Sequence, residues 1–116
     1  MQVKRIVANI PASDLGLARK FYEEVLGLSL LMDHGWITTY GSPAEMSVQV
    51  SFATQGGSNT AVPDLSIEVD DVDTAFERMV AAGFAIEYGL TDEPWGVRRF
   101  FVRDPFGKLI NILSHT

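Results

Sequence analysis

The sequence predicts an α+β fold: one domain of two βαβββ modules, joined into a curved mixed sheet with a concave groove. Three observations predict it. The chain resembles itself in two halves, each half opens with an alternating strand that runs into a helical repeat, and each helix is followed by short alternating or apolar runs. Sliding IVANIPASD (residues 6–14) onto PDLSIEVDD (residues 63–71) places Ala8, Ile10 and Ala12 on Leu65, Ile67 and Val69, and Asp14 on Asp71. The boundaries that follow are module 1 at about residues 1–55, a linker at about 54–63 and module 2 at about 62–116.

Each element has a local cause. In the first helix Leu15, Ala18, Phe21, Tyr22 and Val25 fall on one face; in the second, Val72, Ala75, Phe76, Met79 and Val80 do. Ser13 or Asp14 and Asp70 or Asp71 supply side-chain oxygens for the free first-turn amides. Gly27 and Gly83 stand where a helix C-cap requires positive φ. The strands after the first helix are LSLLM, WITTY and MSVQVSF, split by DHG and GSPAE. Those after the second are FAIEY, VRRFFV and KLINIL, split by LTDEPWG and RDPFG. TQGGSNTAVP has the composition of a flexible linker.

Composition narrows the function. A chain of 116 residues, 47% hydrophobic and 21% charged, is long enough for a core and too apolar for disorder. It has no cysteine, which removes disulfides, thiolate metal sites and cysteine nucleophiles. Nine Lys+Arg against fifteen Asp+Glu give a net charge of −6, which disfavours nucleic acid and suits a neutral or cationic small molecule. With no bilayer-length apolar stretch and no signal-peptide pattern, no membrane association and a cytoplasmic location are expected. No serine lies in an elbow motif, and QGGSN lacks the lysine and helix of a phosphate loop. No catalytic residue is nominated.

SDLGLARKFYEEVLGL, VDDVDTAFERMVAAG and EPWGVRRFFVRDPFGKLINIL resemble the vicinal oxygen chelate superfamily, which holds glyoxalases, extradiol dioxygenases and fosfomycin- and bleomycin-resistance proteins. The resemblance spans nearly the whole chain and implies the glyoxalase/bleomycin-resistance fold. It also implies a homodimer in which one chain's module completes the other's groove. In metal-bearing members the ligands come from the first and last strand of each module, and those positions fall here on Val7, Gln49, Asp64 and Asn111. One carboxylate, two amides and a valine make no closed divalent-metal site, so neither metal nor other cofactor is expected. A displaced site using Asp64, Glu68, His34 or His115 stays open as the enzymatic alternative, a divergent metal-dependent lyase or dioxygenase.

Strand parity sorts the remaining candidates. If Leu65, Ile67 and Val69 lie under the helices, Asp64, Ser66 and Glu68 face the groove, as do Leu109, Asn111 and Leu113; Arg99 and Phe101 share one face of their strand, and the resemblance implies that it is the groove side. Asn111 and Gln49 either hydrogen-bond within a polar groove or contact a ligand. Trp36, Tyr40, Trp95 and Phe101 provide aromatic surface, and Asp64 and Glu68 negative charge, for a planar or cationic molecule. The expected ligand-binding set is therefore Trp36, Tyr40, Gln49, Asp64, Glu68, Trp95, Arg99, Phe101 and Asn111. The expected activity is sequestration of a drug or metabolite, as in bleomycin-resistance proteins.

Overall fold

The computed structural model describes residues 1–116. Module 2 is complete. β3 (Leu65–Glu68), the helix α1 (Val72–Ala81), β4 (Ile86–Glu93), β5 (Val97–Arg103) and β6 (Leu109–His115) build a four-stranded mixed sheet in the order β3-β6-β5-β4, in which only the β3–β6 pair is parallel. Module 1 supplies a 3-10 turn (Leu15–Leu17), π-type turns (Arg19–Val25) and a two-stranded antiparallel hairpin of β1 (Ser29–Asp33) and β2 (Thr38–Gly41). No helix is long and apolar enough to cross a membrane.

The ends of α1 follow from its sequence. The Asp71 side chain accepts from the Thr74 amide at 3.0 Å and the Thr74 hydroxyl at 2.7 Å, and Gly83 takes φ +84° beyond the last turn, as Gly27 takes +74°. Those bonds hold the Asp71 carboxyl below its ordinary value of 3.8. A depressed pKa adds stability that is present above 3.8 and lost as the pH falls through the folded value. Asp71→Ala is expected to lower the thermal midpoint at pH 7 and to bring it closer to the wild-type midpoint as the pH falls below 3.8. An equal gap at both pH values would place the cap's role elsewhere.

The core lies on one side of the module 2 sheet. Phe100, Val102, Ile110 and Ile112 meet Val72, Ala75 and Met79 of α1, and Ala18, Phe21 and Tyr22 of the first helical segment join the same cluster. Phe21 stands edge-on to Phe84, and the Tyr22 hydroxyl donates to Asp104 Oδ2 at 2.8 Å. Asp104 Oδ1 also accepts from the Phe106 and Lys108 amides, so one buried carboxylate closes the RDPFG turn and anchors the helix.

That packing accounts for a departure from the expected modules. The runs around residues 6–10 and 46–52, expected as strands, form no regular strand, and Val3, Ile6, Val7, Met46, Val48, Val50 and Phe52 are exposed. The first helical segment commits its apolar stripe to the module 2 core, and every residue of β1 is exposed. The second departure is at β4, which runs on through Glu93 where a turn beginning at Leu90 was expected; two register shifts absorb the extra residues, and Pro94–Gly96 close a three-residue hairpin.

Candidate functional site

The face of the module 2 sheet opposite the helices is built around Arg99. Its guanidinium carbon lies 4.8 Å from the Phe101 ring centre, 5.0 Å from Trp95 and 5.4 Å from Tyr88. The rings come from β5, the hairpin and β4; Tyr88 and Phe101 are cross-strand partners. Arg99 pairs at 3.6 Å with Glu93, and both side chains are almost wholly buried, with 4% and 1% exposed. Burial pushes the Glu93 carboxyl up, but donation from Ser58 and Tyr88 and the charge of Arg99 outweigh it and hold the group below its ordinary 4.5.

The linker closes over this cluster. Arg99 donates from Nη1 to the Gly56 carbonyl at 2.7 Å and from Nη2 to the Gly57 carbonyl at 3.3 Å, while the Ser58 hydroxyl donates to Glu93 Oε2 at 2.5 Å. Tyr88 donates to the other Glu93 oxygen at 2.6 Å. Two buried polar atoms on this face keep no partner, Arg99 Nε and Asn111 Oδ1. The Asn111 amide nitrogen donates to Ser66 Oγ at 3.1 Å.

Trp95, Arg99 and Phe101 of the expected set come together in this cluster, and Asn111 is the cross-strand partner of Phe101. Asp64 and Glu68 belong to the same face but have other attachments. Asp64 Oδ2 accepts from the Leu109 amide at 2.8 Å, and Glu68 contacts His115 Nδ1 at 2.6 Å, both residues being exposed. The structure places the remaining three elsewhere. Trp36 is exposed beside the module 1 hairpin, Tyr40 packs against the helix-side core, and Gln49 is exposed outside any strand. Arg98, on the other face of β5, pairs with Asp73 at 2.9 Å and Asp92 at 3.2 Å.

The residues at the superfamily's metal positions do not fit a divalent cation. Val7 has no donor, Gln49 lies outside the sheet, Asp64 caps a backbone amide, and Asn111 is turned to Ser66. No three His, Asp or Glu side chains gather into a ligand set; His34 sits in the β1–β2 hairpin, and His115 meets Glu68 alone.

Sequence reasoning missed Tyr88, Glu93, Ser58 and the Gly56–Gly57 carbonyls. Glu93 lies inside LTDEPWG, whose composition reads as a turn. The signal was Gly96, whose φ of +88° permits a three-residue hairpin and so puts Glu93 opposite Val97, on the groove side of β5. Tyr88 could not be placed by parity, because the bulges on either side of it reset the alternation.

The family model of the glyoxalase/bleomycin resistance protein/dioxygenase superfamily matches residues 3–112. Among solved structures, the chain is similar to an antibiotic binding protein from Streptomyces (TnmS3), with 29% identity over 92% of this chain and 91% of that one and a TM-score of 0.67. It is also similar to TioX from Micromonospora, with 28% identity over 97% of both chains and a TM-score of 0.64. A lactoylglutathione lyase from Agrobacterium tumefaciens shares the fold at 23% identity, covering 89% of this chain and 86% of that one with a TM-score of 0.63. No curated protein matches the sequence.

Proposed function

The chain belongs to the glyoxalase/bleomycin resistance protein/dioxygenase superfamily, and from that premise we propose that it is a metal-independent binding protein for a planar small molecule of the antibiotic kind. The observation that carries the reading is the Arg99 face, where aromatic rings, a buried ion pair and two unpartnered polar atoms converge without a nucleophile or a ligand set. Half-exposed Trp95 gives a flat ligand a ring to stack on. The likeness to an antibiotic binding protein supports the same reading.

The groove needs a second copy of the chain. The accessible surface is 7960 Å², whereas a compact monomer of this mass exposes roughly 6,300 Å². The excess sits where module 1 leaves apolar segments without a partner, at Val3 to Val7 and Met46 to Phe52, and along β1. Module 2 pairs its own first and last strands, so the equivalent module 1 segments carry the same pattern with nothing to pair against. A homodimer that orders these segments would roof the Arg99 face.

Two measurements test this. Sedimentation equilibrium is expected to give twice the 12.8 kDa chain mass, and a single-chain mass would remove the second copy. In a Trp36→Phe background, where Trp95 is the only tryptophan, planar aromatic probes are expected to quench fluorescence saturably and equally with or without chelator. Quenching that requires added Mn, Ni or Zn would favour the lyase or dioxygenase alternative, for which the His115–Glu68 contact is the one supporting feature.

A further inference from the structure

We propose that residues 54–60 form a displaceable strap over Arg99, and that the molecule which displaces it is flat, uncharged, and carries two carbonyl oxygens and a hydroxyl donor. The inference rests on the small-molecule reading of this face and specifies its ligand.

The strap meets the buried pair through three polar groups. Two are carbonyl oxygens, of Gly56 and Gly57, taken by the two terminal nitrogens of Arg99; the third is the Ser58 hydroxyl, given to Glu93. Gly57 also lies against Trp95, so close that an added Cβ would stand 2.8 Å from the ring carbon Cη2. A conjugated ring bearing the same acceptors and donor would reproduce these contacts and add a stacked face. It would also have Arg99 Nε within the same cluster as a further donor, which the strap leaves without a partner.

Charge selects against the other ligand class. The guanidinium already lies over the Tyr88, Trp95 and Phe101 rings, so a cationic ligand would have to share those rings with a like charge. A neutral acceptor gains charge-assisted bonds from Arg99 instead. The structure therefore narrows the expectation of a planar or cationic ligand to its planar half.

The strap is built to leave. No strand pairs with it; its internal bonds are Gly56 N–H to Thr60 O at 2.8 Å, Thr60 N–H to Gly57 O at 3.0 Å, Thr60 Oγ1–H to Gly57 O at 2.6 Å and Asn59 N–H to Gln55 Oε1 at 2.9 Å. Gly57, Ser58 and Asn59 hold positive φ in succession, at +86°, +50° and +60°. For Ser58 that conformation is unfavourable and displacement releases it, whereas Asn59 tolerates it.

The test uses Trp36→Phe protein and three probes: a neutral monohydroxy naphthoquinone, naphthol as the same ring system without the carbonyls, and an acridinium cation. Gly56→Ala disables the strap without altering Arg99, Glu93 or the rings, because its Cβ collides with the Ala61 carbonyl. Ser58→Ala removes the bond to Glu93. If the closed strap occupies most molecules, opening it is expected to tighten quinone binding about five- to tenfold, with naphthol at least about tenfold weaker than the quinone. Bound quinone is also expected to speed hydrogen exchange at the Gly56 and Thr60 amides. Quinone affinity unchanged or weakened in both variants, or acridinium bound more tightly than quinone, overturns the proposal while leaving the binding function standing. No quenching by any probe in either background removes both.

Discussion

Arg99→Ala is expected to lower the unfolding free energy by about 3–5 kcal/mol, because it strands the Glu93 carboxylate in a buried site without its cation. The partners are 4% and 1% exposed, so solvent does not screen the loss. Ser58 and Tyr88 still donate to Glu93, which sets the effect toward the lower end of that range. Arg99→Met with Glu93→Leu removes both charges and is expected to recover most of the stability. Urea denaturation of the three proteins decides it. A loss below about 1 kcal/mol in the single variant would mean that the pair behaves as a surface salt bridge. The acid limb should change as well. Glu93, depressed in the folded state, adds stability above its ordinary 4.5 that is lost as the pH falls through the folded value. Without Arg99 that loss is smaller, since one of the causes of the depression is gone.

The second large effect is at Asp104. Its carboxylate accepts from the Tyr22 hydroxyl and from the Phe106 and Lys108 amides, and the residue is 4% exposed. Asp104→Ala leaves these buried or half-buried donors without their acceptor and is expected to cost about 3 kcal/mol, with a thermal midpoint about 10–15 °C lower. Tyr22→Phe removes one bond and is expected to cost about 1 kcal/mol. The tyrosine also reports at high pH. Burial first, and the Asp104 hydrogen bond and charge next, push its pKa well above the ordinary 10.0. A raised tyrosine pKa adds stability that is complete below 10.0 and declines as the pH rises beyond it, because the unfolded chain releases the proton first. Wild type should therefore lose stability above pH 10 and Tyr22→Phe should lose less; parallel alkaline limbs would separate the hydroxyl from this role.

Tyr22 and Asp104 lie 82 residues apart and Ser58 and Glu93 lie 35 apart, and the sequence disclosed such pairings unevenly. The helix residues 72–81, their Asp71 cap and the parity of KLINIL and VRRFFV were legible, because each depends on local periodicity or on one side chain meeting a nearby amide. Parity put Asp64, Ser66, Glu68 and Asn111 on the face opposite the helices and set Arg99 and Phe101 together on one face of β5, and a period of two makes that sorting independent of neighbouring elements. The partners on that face were not legible. Arg99 was expected to meet a ligand, but its partner is Glu93, which reaches it through a hairpin with two register shifts.

The sequence by itself determined the α+β class, the two-part repeat, the caps and the alternation of faces along β3, β5 and β6. These are consequences of short-range sterics and of apolar periodicity. Only the tertiary structure decided that the aromatic surface encloses the chain's own guanidinium, that the glycine-rich linker lies over it, and that the first helical segment packs on module 2 instead of completing its own. Those outcomes depend on loop closure and on competition between distant surfaces for the same buried contacts, which no local pattern encodes.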